Sequence, residues 1–204
     1  TGLFNAPHVD ARRSAMNTND LRGKILRITV QEDGSYTIPD GNLFTGNEEG
    51  GGKTRPEIYA MGFRNPFRIT LDENDVAYIT DYSPDSQTPA NFRGPAGTGR
   101  MMKVDEPANY GWPLCYRTDL PYYKWDFNTS TTLGETYECG NASRGPENTS
   151  RWNTGRTVTP PITNPDLWYS SQDATWGTPC VDSYNTATAR PCRMTGNPLG
   201  ACRF

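Results

Sequence analysis

The chain has 204 residues, and its 20 Gly and 17 Pro beside 34% hydrophobic and 11% aromatic residues exclude a helix bundle. That mix suits a loop-rich all-β protein whose short strands are pinned by large rings. A formal charge of -3 with no basic run longer than Arg12-Arg13 excludes a nucleic-acid surface, and no window approaches the ~18 consecutive apolar residues of a membrane span.

The first residues carry neither an initiator Met nor the apolar core of a signal peptide, so the sequence is expected to begin inside a longer protein. Lys24 to Val30 (KILRITV) alternates, with Leu26, Ile28 and Val30 on one face, and Asp33-Gly34 supplies a turn before Tyr36-Thr37-Ile38. This predicts a hairpin. Arg68 to Leu71, the turn Asp72-Glu73-Asn74-Asp75 and Val76 to Thr80 predict a second hairpin, and Arg100 to Val104 a third strand unit. The three starts lie 44 and 32 residues apart, near the roughly 40–50 residue spacing of propeller blades. Beyond about residue 114 the pattern dissolves into Thr, Asn, Pro and isolated aromatics, which predicts short hidden strands or packing partners outside this chain.

Five cysteines, Cys115, Cys139, Cys180, Cys192 and Cys202, form no C-x-x-C pair, and the single His, His8, is far from them in sequence. They read as disulfides formed outside the cytoplasm, with one thiol left over and the pairing open, rather than as a zinc site. Asn128, Asn141 and Asn148 each head an N-x-S sequence, which is both the glycosylation sequon and a combination that a Ser/Thr/Asn-rich stretch produces by composition.

Nucleophilic hydrolysis lacks both a G-x-S-x-G elbow and a partnered base, His8 reading as a surface residue. Gly50-Gly51-Gly52-Lys53-Thr54 lacks the first Gly of a phosphate loop and follows Glu48-Glu49, so it reads as a connection. In EIYAMGFRNPFR (Glu57 to Arg68), Pro66 forces Asn65 into an extended backbone, and the loop can point the Arg64 guanidinium and the Asn65 amide one way. A tight turn with Arg64 paired to a carboxylate is the competing reading. Asp81-Tyr82-Ser83-Pro84-Asp85-Ser86 follows a strand and is rich in the oxygen ligands that calcium prefers, or is a strand-ending turn. Asn109-Tyr110-Gly111-Trp112-Pro113 wedges a Gly between two rings and reads as blade packing.

Taken in order, NTNDLRGKILRI (Asn17 to Ile28), DGSYTIPDGNLF (Asp33 to Phe44), RPEIYAMGFRNPFR (Arg55 to Arg68), DYSPD (Asp81 to Asp85) and NYGWP (Asn109 to Pro113) resemble the soluble glucose/sorbosone dehydrogenase family, and its bacterial branch most. The resemblance implies a six-bladed β-propeller, of which these 204 residues would form one partial domain of about two to three blades. It is clear over residues 17–116, while 117–204 are loop-rich and weakly matched.

The family oxidises an aldose hydroxyl by hydride transfer to pyrroloquinoline quinone (PQQ) beside a calcium ion. The resemblance implies Arg64 and Asn65 as quinone contacts, Arg64 facing charge that develops on the quinone, and the carbonyls of Ser83 and Pro84 as calcium ligands, with Tyr110 as a lesser candidate. It implies a Cys115–Cys139 pairing and places the general-base His upstream of Thr1. Three departures stand out: Phe67 replaces a polar residue, Ser83 a Gly, and Arg100 an acidic residue, which argues against a second calcium there. The expected partners are a sugar, an external electron acceptor and the remaining blades, with no nucleic acid and no membrane span, in an extracellular or periplasmic setting. These residues alone are expected to be inactive. The alternative is a non-catalytic propeller that binds carbohydrate or protein.

Overall fold

The computed structural model describes residues 10–82, 94, 98–127, 129, 131–170, 178–180 and 190–192. Among them there is no α-helix, only two short 3-10 turns at Ala11–Arg13 and Glu48–Gly50. The strands are β1 (Lys24–Leu26), β2 (Thr29–Val30), β3 (Tyr36–Thr37), β4 (Ile58–Met61), β5 (Pro66–Leu71), β6 (Ala77–Asp81) and β7 (Thr98–Val104). After them come β8 (Ala108–Asn109), β9 (Cys115–Arg117), β10 (Leu120–Pro121), β11 (Tyr123–Asp126), β12 (Thr131–Thr136), β13 (Leu167–Ser170), β14 (Thr178–Cys180) and β15 (Arg190–Cys192). The described residues are all-β, the class that the composition suits. The chain divides into two compact units, Thr1–Phe63 with Glu106–Thr163, and Arg64–Asp105 with Asn164–Phe204.

In the first unit β1 pairs antiparallel with β4, and β4 pairs parallel with β8. KILRITV is therefore not one strand. Its first half reaches Met61, opposite Lys24, while Thr29 and Val30 pair locally with Thr37 and Tyr36 in a two-stranded hairpin. The break falls at Arg27, whose N–H donates to the Glu57 carbonyl. Asn42 holds it there by donating to the carbonyls of Arg27 and Pro56 at 2.9 and 2.8 Å. The Tyr36 hydroxyl donates to Glu57 Oε1 at 3.0 Å and ties the hairpin back to β4.

The core of this unit gathers Met16, Phe44, Ile58, Met61 and Leu114 around the Cys115–Cys139 disulfide, which forms as the resemblance implied. Lys24 is 7% exposed, and its ammonium donates to the carbonyls of Ser14, Ala15 and Arg22 at 2.8, 3.0 and 3.0 Å. Those bonds let β1 carry a charge inward.

Strands also fill the region where no period was legible: β9 pairs with β10 and β11 with β12. From Arg144 to Thr159 the chain is held largely by side-chain bonds to backbone, such as Thr159 Oγ1 to the Pro146 carbonyl at 2.8 Å.

The second unit contains a four-stranded antiparallel sheet in the order β13-β7-β6-β5, the form of one propeller blade. β5 and β6 are the predicted second hairpin, closed by Asp72, whose Oδ1 accepts the N–H groups of Asn74 and Val76 at 2.8 and 3.0 Å. β7 pairs directly with β6. The strands that start near Arg68 and Arg100 thus share one sheet, and their 32-residue interval is not a blade spacing. The fourth strand, β13, arrives only after the chain has returned to the first unit for Glu106–Thr163.

Candidate functional site

Alternation along β6 puts Ala77, Ile79 and Asp81 on one buried face, and alternation along β7 does the same for Val104, Met102 and Arg100. The register sets Ala77 opposite Val104, Ile79 opposite Met102, and Asp81 opposite Arg100. An apolar ladder therefore ends in an ion pair. Arg100 Nη2 lies 2.5 Å from Asp81 Oδ2, with the two side chains 3% and 2% exposed.

Asp81 does more than pair with Arg100. Its Oδ1 accepts the backbone N–H of Asn65 at 2.7 Å and that of Arg64 at 3.1 Å. Pro66 sits opposite Asp81, and the Tyr82 N–H donates to the Asn65 carbonyl at 3.0 Å, so both edges of the Arg64-Asn65 loop are held. With both N–H groups turned inward, Asn65 is exposed, and the Arg64 guanidinium stands 5.8 Å from the centre of the Tyr82 ring. A register shift between Pro66 and Arg68 marks a bulge at Phe67, which is 62% exposed.

Arg64 and Asn65 lie side by side on the loop that Asp81 holds. Ser83 and Pro84 lie outside the described residues, as do His8, Cys202 and the side chains of Cys180 and Cys192. Asp81 is the residue whose role sequence reasoning missed, since the 81–86 segment reads only as a whole, as calcium-type oxygens or as a strand-ending turn. Two backbone N–H groups and a guanidinium occupy the Asp81 carboxylate. The readable signal was an acid in phase with Ala77 and Ile79, with a base in phase with Met102 and Val104. Among the described residues no three His, Cys, Asp or Glu side chains converge as a metal site.

In the first unit, Gly62 has φ +82, and a Cβ there would lie 2.4 Å from the Gly111 nitrogen and 2.7 Å from Asn109 Oδ1. This is the close approach on which NYGWP rests: the N–H groups of Tyr110 and Trp112 donate to the carbonyls of Met61 and Gly62. Tyr110, 2% exposed, packs against Phe63 with ring centres 5.3 Å apart, and Trp112 meets Tyr122 edge-on. Packing is the observed role of these rings.

The Glu48 carboxylate just before the Gly50–Gly52 turn is spent within its own loop, bracing residues 45, 46 and 54. Glu48 accepts the N–H groups of Thr45 and Gly46 at 2.6 and 3.0 Å and the Thr54 hydroxyl at 2.5 Å. Partial burial raises its pKa, but those bonds, led by the Thr45 N–H and the Thr54 hydroxyl, outweigh burial and hold it at about 2.

A family model described as Glucose / Sorbosone dehydrogenase matches residues 5–138, more than half of the chain. The chain belongs to that family. The match is wider than the 17–116 that the ordered motifs carry, and it runs past Cys115 and the β11–β12 hairpin to stop one residue before Cys139.

Among curated proteins, HIPL2 protein of Arabidopsis thaliana is 32% identical over 117 residues, which is 50% of this chain and 15% of that protein. HIPL1 protein of the same plant is 29% identical over 125 residues, 54% of this chain and 16% of that protein. The chain thus spans under a fifth of these relatives. Two solved structures are similar. A crystal structure of glucose dehydrogenase has a TM-score of 0.39 at 20% identity, covering 76% of this chain and 32% of that one. The PQQ-bound form of aldose sugar dehydrogenase from Streptomyces coelicolor has a TM-score of 0.35 at 17% identity, covering 86% of this chain and 39% of that one.

Proposed function

We propose that this chain supplies part of the cofactor site of an extracellular or periplasmic quinoprotein sugar dehydrogenase, with Arg64 and Asn65 as its contacts to PQQ. The observation that supports this reading is the Asp81 clamp. It draws two consecutive backbone N–H groups onto one buried carboxylate and so fixes the backbone of the short loop that carries a guanidinium, on Arg64, and an exposed carboxamide, on Asn65. A fixed cation and a fixed amide are the donors that a planar, carboxylate-bearing quinone needs. The donor set fits the group.

When bound, PQQ supplies the acceptor for the hydride that leaves the sugar carbon. Arg64 favours negative charge at its end of the site, and its pinned backbone fixes the point from which the guanidinium reaches. Asn65 orients by its amide. Asp81, neutralised by Arg100, holds both without facing the ligand. The proton from the sugar hydroxyl goes to a His that this reading places outside these residues. The carbonyls of Ser83 and Pro84, outside the described residues, would hold the calcium, as the family resemblance implies.

Two measurements test the reading. Titration of the chain with PQQ, followed by quenching of its Tyr and Trp emission, should saturate and should weaken at least tenfold in Arg64→Ala. The gene product that contains this chain should oxidise a panel of aldoses with a dye as acceptor, and only with PQQ and calcium added. Saturable binding without turnover supports the non-catalytic propeller, toward which the exposed Phe67 and the buried Arg100 pair lean. No binding by the gene product overturns the proposal.

A further inference from the structure

Three asparagines head glycosylation sequons, and the fold treats the two described ones in opposite ways. Asn148 is 1% exposed. Its Nδ2 donates to the carbonyls of Arg12 and Met16 at 2.8 and 3.1 Å, and its Oδ1 accepts the Ser150 N–H at 3.2 Å. The hydroxyl of that sequon is spent as well, since Ser150 Oγ donates to Asp10 Oδ2 at 2.5 Å. Every polar atom of the Asn148 amide is used, Nδ2 in joining residues 12–16 to the 146–159 segment and Oδ1 in bracing that segment's own turn.

Asn141 lies on the surface of the same unit. It follows Cys139, whose disulfide anchors the loop, and Gly140, Ala142 and Ser143 are all exposed. Asn141 is half-buried, and its Oδ1 accepts the N–H groups of Ser143 and Arg144 at 2.9 and 3.2 Å, which folds the sequon back on itself and leaves Nδ2 out of the turn. The one bond from Nδ2 runs to Glu138 Oε1 at 3.2 Å on the exposed surface, where water replaces it at little cost.

We propose that Asn141 is the position at which this fold carries an N-linked glycan, and that Asn148, in spite of its sequon, is not. The inference stands on the first unit alone and does not rest on the dehydrogenase reading. It requires passage through a glycosylating secretory compartment, the setting in which a disulfide such as Cys115–Cys139 forms. The donor is a lipid-pyrophosphate-linked oligosaccharide. A bond forms from Asn141 Nδ2 to its anomeric carbon, the bond from that carbon to the pyrophosphate oxygen breaks, and one amide proton and the lipid pyrophosphate leave. Nothing is oxidised or reduced. At Asn148 the same substitution would replace an N–H that bonds Arg12 or Met16 and would place a sugar inside the core, so a chain modified there does not reach this fold.

The test is secretion from a glycosylating yeast or mammalian host in an Asn128→Gln background, which removes the sequon that lies outside the described residues. Intact mass and peptide mapping after amidase release, which leaves Asp where a glycan stood, should show one glycan, at Asn141. Asn141→Gln and, with the asparagine and its turn retained, Ser143→Ala should both abolish it, while Ser143→Thr should keep it. A secreted chain that carries no sugar, or one whose sugar persists in Asn141→Gln or maps to Asn148, overturns the proposal.

Discussion

Replacing Asp81 by Ala is the perturbation that tests the architecture of the site most directly. It leaves the Arg100 guanidinium, 3% exposed, without its counter-charge, and removing one partner of a buried ion pair costs about 3–5 kcal/mol. It also strips the acceptor from the N–H groups of Arg64 and Asn65, at about 1–3 kcal/mol for each that water does not reach. The charge dominates, so the loss is at least about 4 kcal/mol, a large share of the ~5–15 kcal/mol that holds a domain together. At about 2 kcal/mol per M of urea, the unfolding midpoint should fall by about 2 M.

The variants separate the two contributions. Asp81→Asn keeps an oxygen for the N–H groups but leaves Arg100 charged, and Arg100→Met leaves the Asp81 charge unpaired. The double variant Asp81→Asn/Arg100→Met removes both charges and should be more stable than either single variant, a positive coupling in a double-mutant cycle. Amide exchange at Asn65 should be slow in the wild type, fast in Asp81→Ala and intermediate in Asp81→Asn. An unchanged midpoint in Asp81→Ala, or a double variant no better than the two singles combined, would refute the reasoning.

Burial pushes the pKa of Lys24 down to about 7, against the attraction of Asp20. Between about pH 7 and 10 the unfolded chain therefore holds a proton that the folded chain releases, and stability should rise with pH across that window and level off below it. Lys24→Met, compared by urea melts at pH 7 and pH 10, should lose that slope; an equal slope in both proteins would sink the assignment. Gly62→Ala should destabilise by well over the about 1–2 kcal/mol of a left-handed backbone, because its Cβ also meets the Gly111 nitrogen at 2.4 Å; a thermal melt like that of the wild type would contradict the close approach. Breaking the 24-residue Cys115–Cys139 link by Cys139→Ser should cost about 3 kcal/mol and favour opening of the 116–138 segment, read as new proteolytic cuts there; an uncut, equally stable chain would speak against that role.

The β5–β6 hairpin was legible because everything it needs is local: alternating residues on both sides of Asp72–Asp75, and an Asp side chain that closes its own turn. KILRITV misled for the opposite reason. Its alternation is continuous, but the partner of Lys24 is Met61, far along the chain, while the partner of Val30 is Tyr36, and nothing in the seven residues themselves marks the switch. The 116–170 region showed no period because its strands are two to six residues long and side-chain bonds such as those of Asn148 and Thr159 stand in for ladders.

Composition and motif order by themselves determined the all-β class and the family, because breakers, ring-rich strands and five ordered motifs are properties of the chain in one dimension. The role of Asp81 was decided only in three dimensions. Phase along β6 and β7 places an acid and a base on one buried face, but it is the register between the strands that sets residue 81 opposite residue 100 and under the backbone of residues 64 and 65. Register depends on which edges meet, and a one-residue slip would have turned Asp81 to the other face of the sheet.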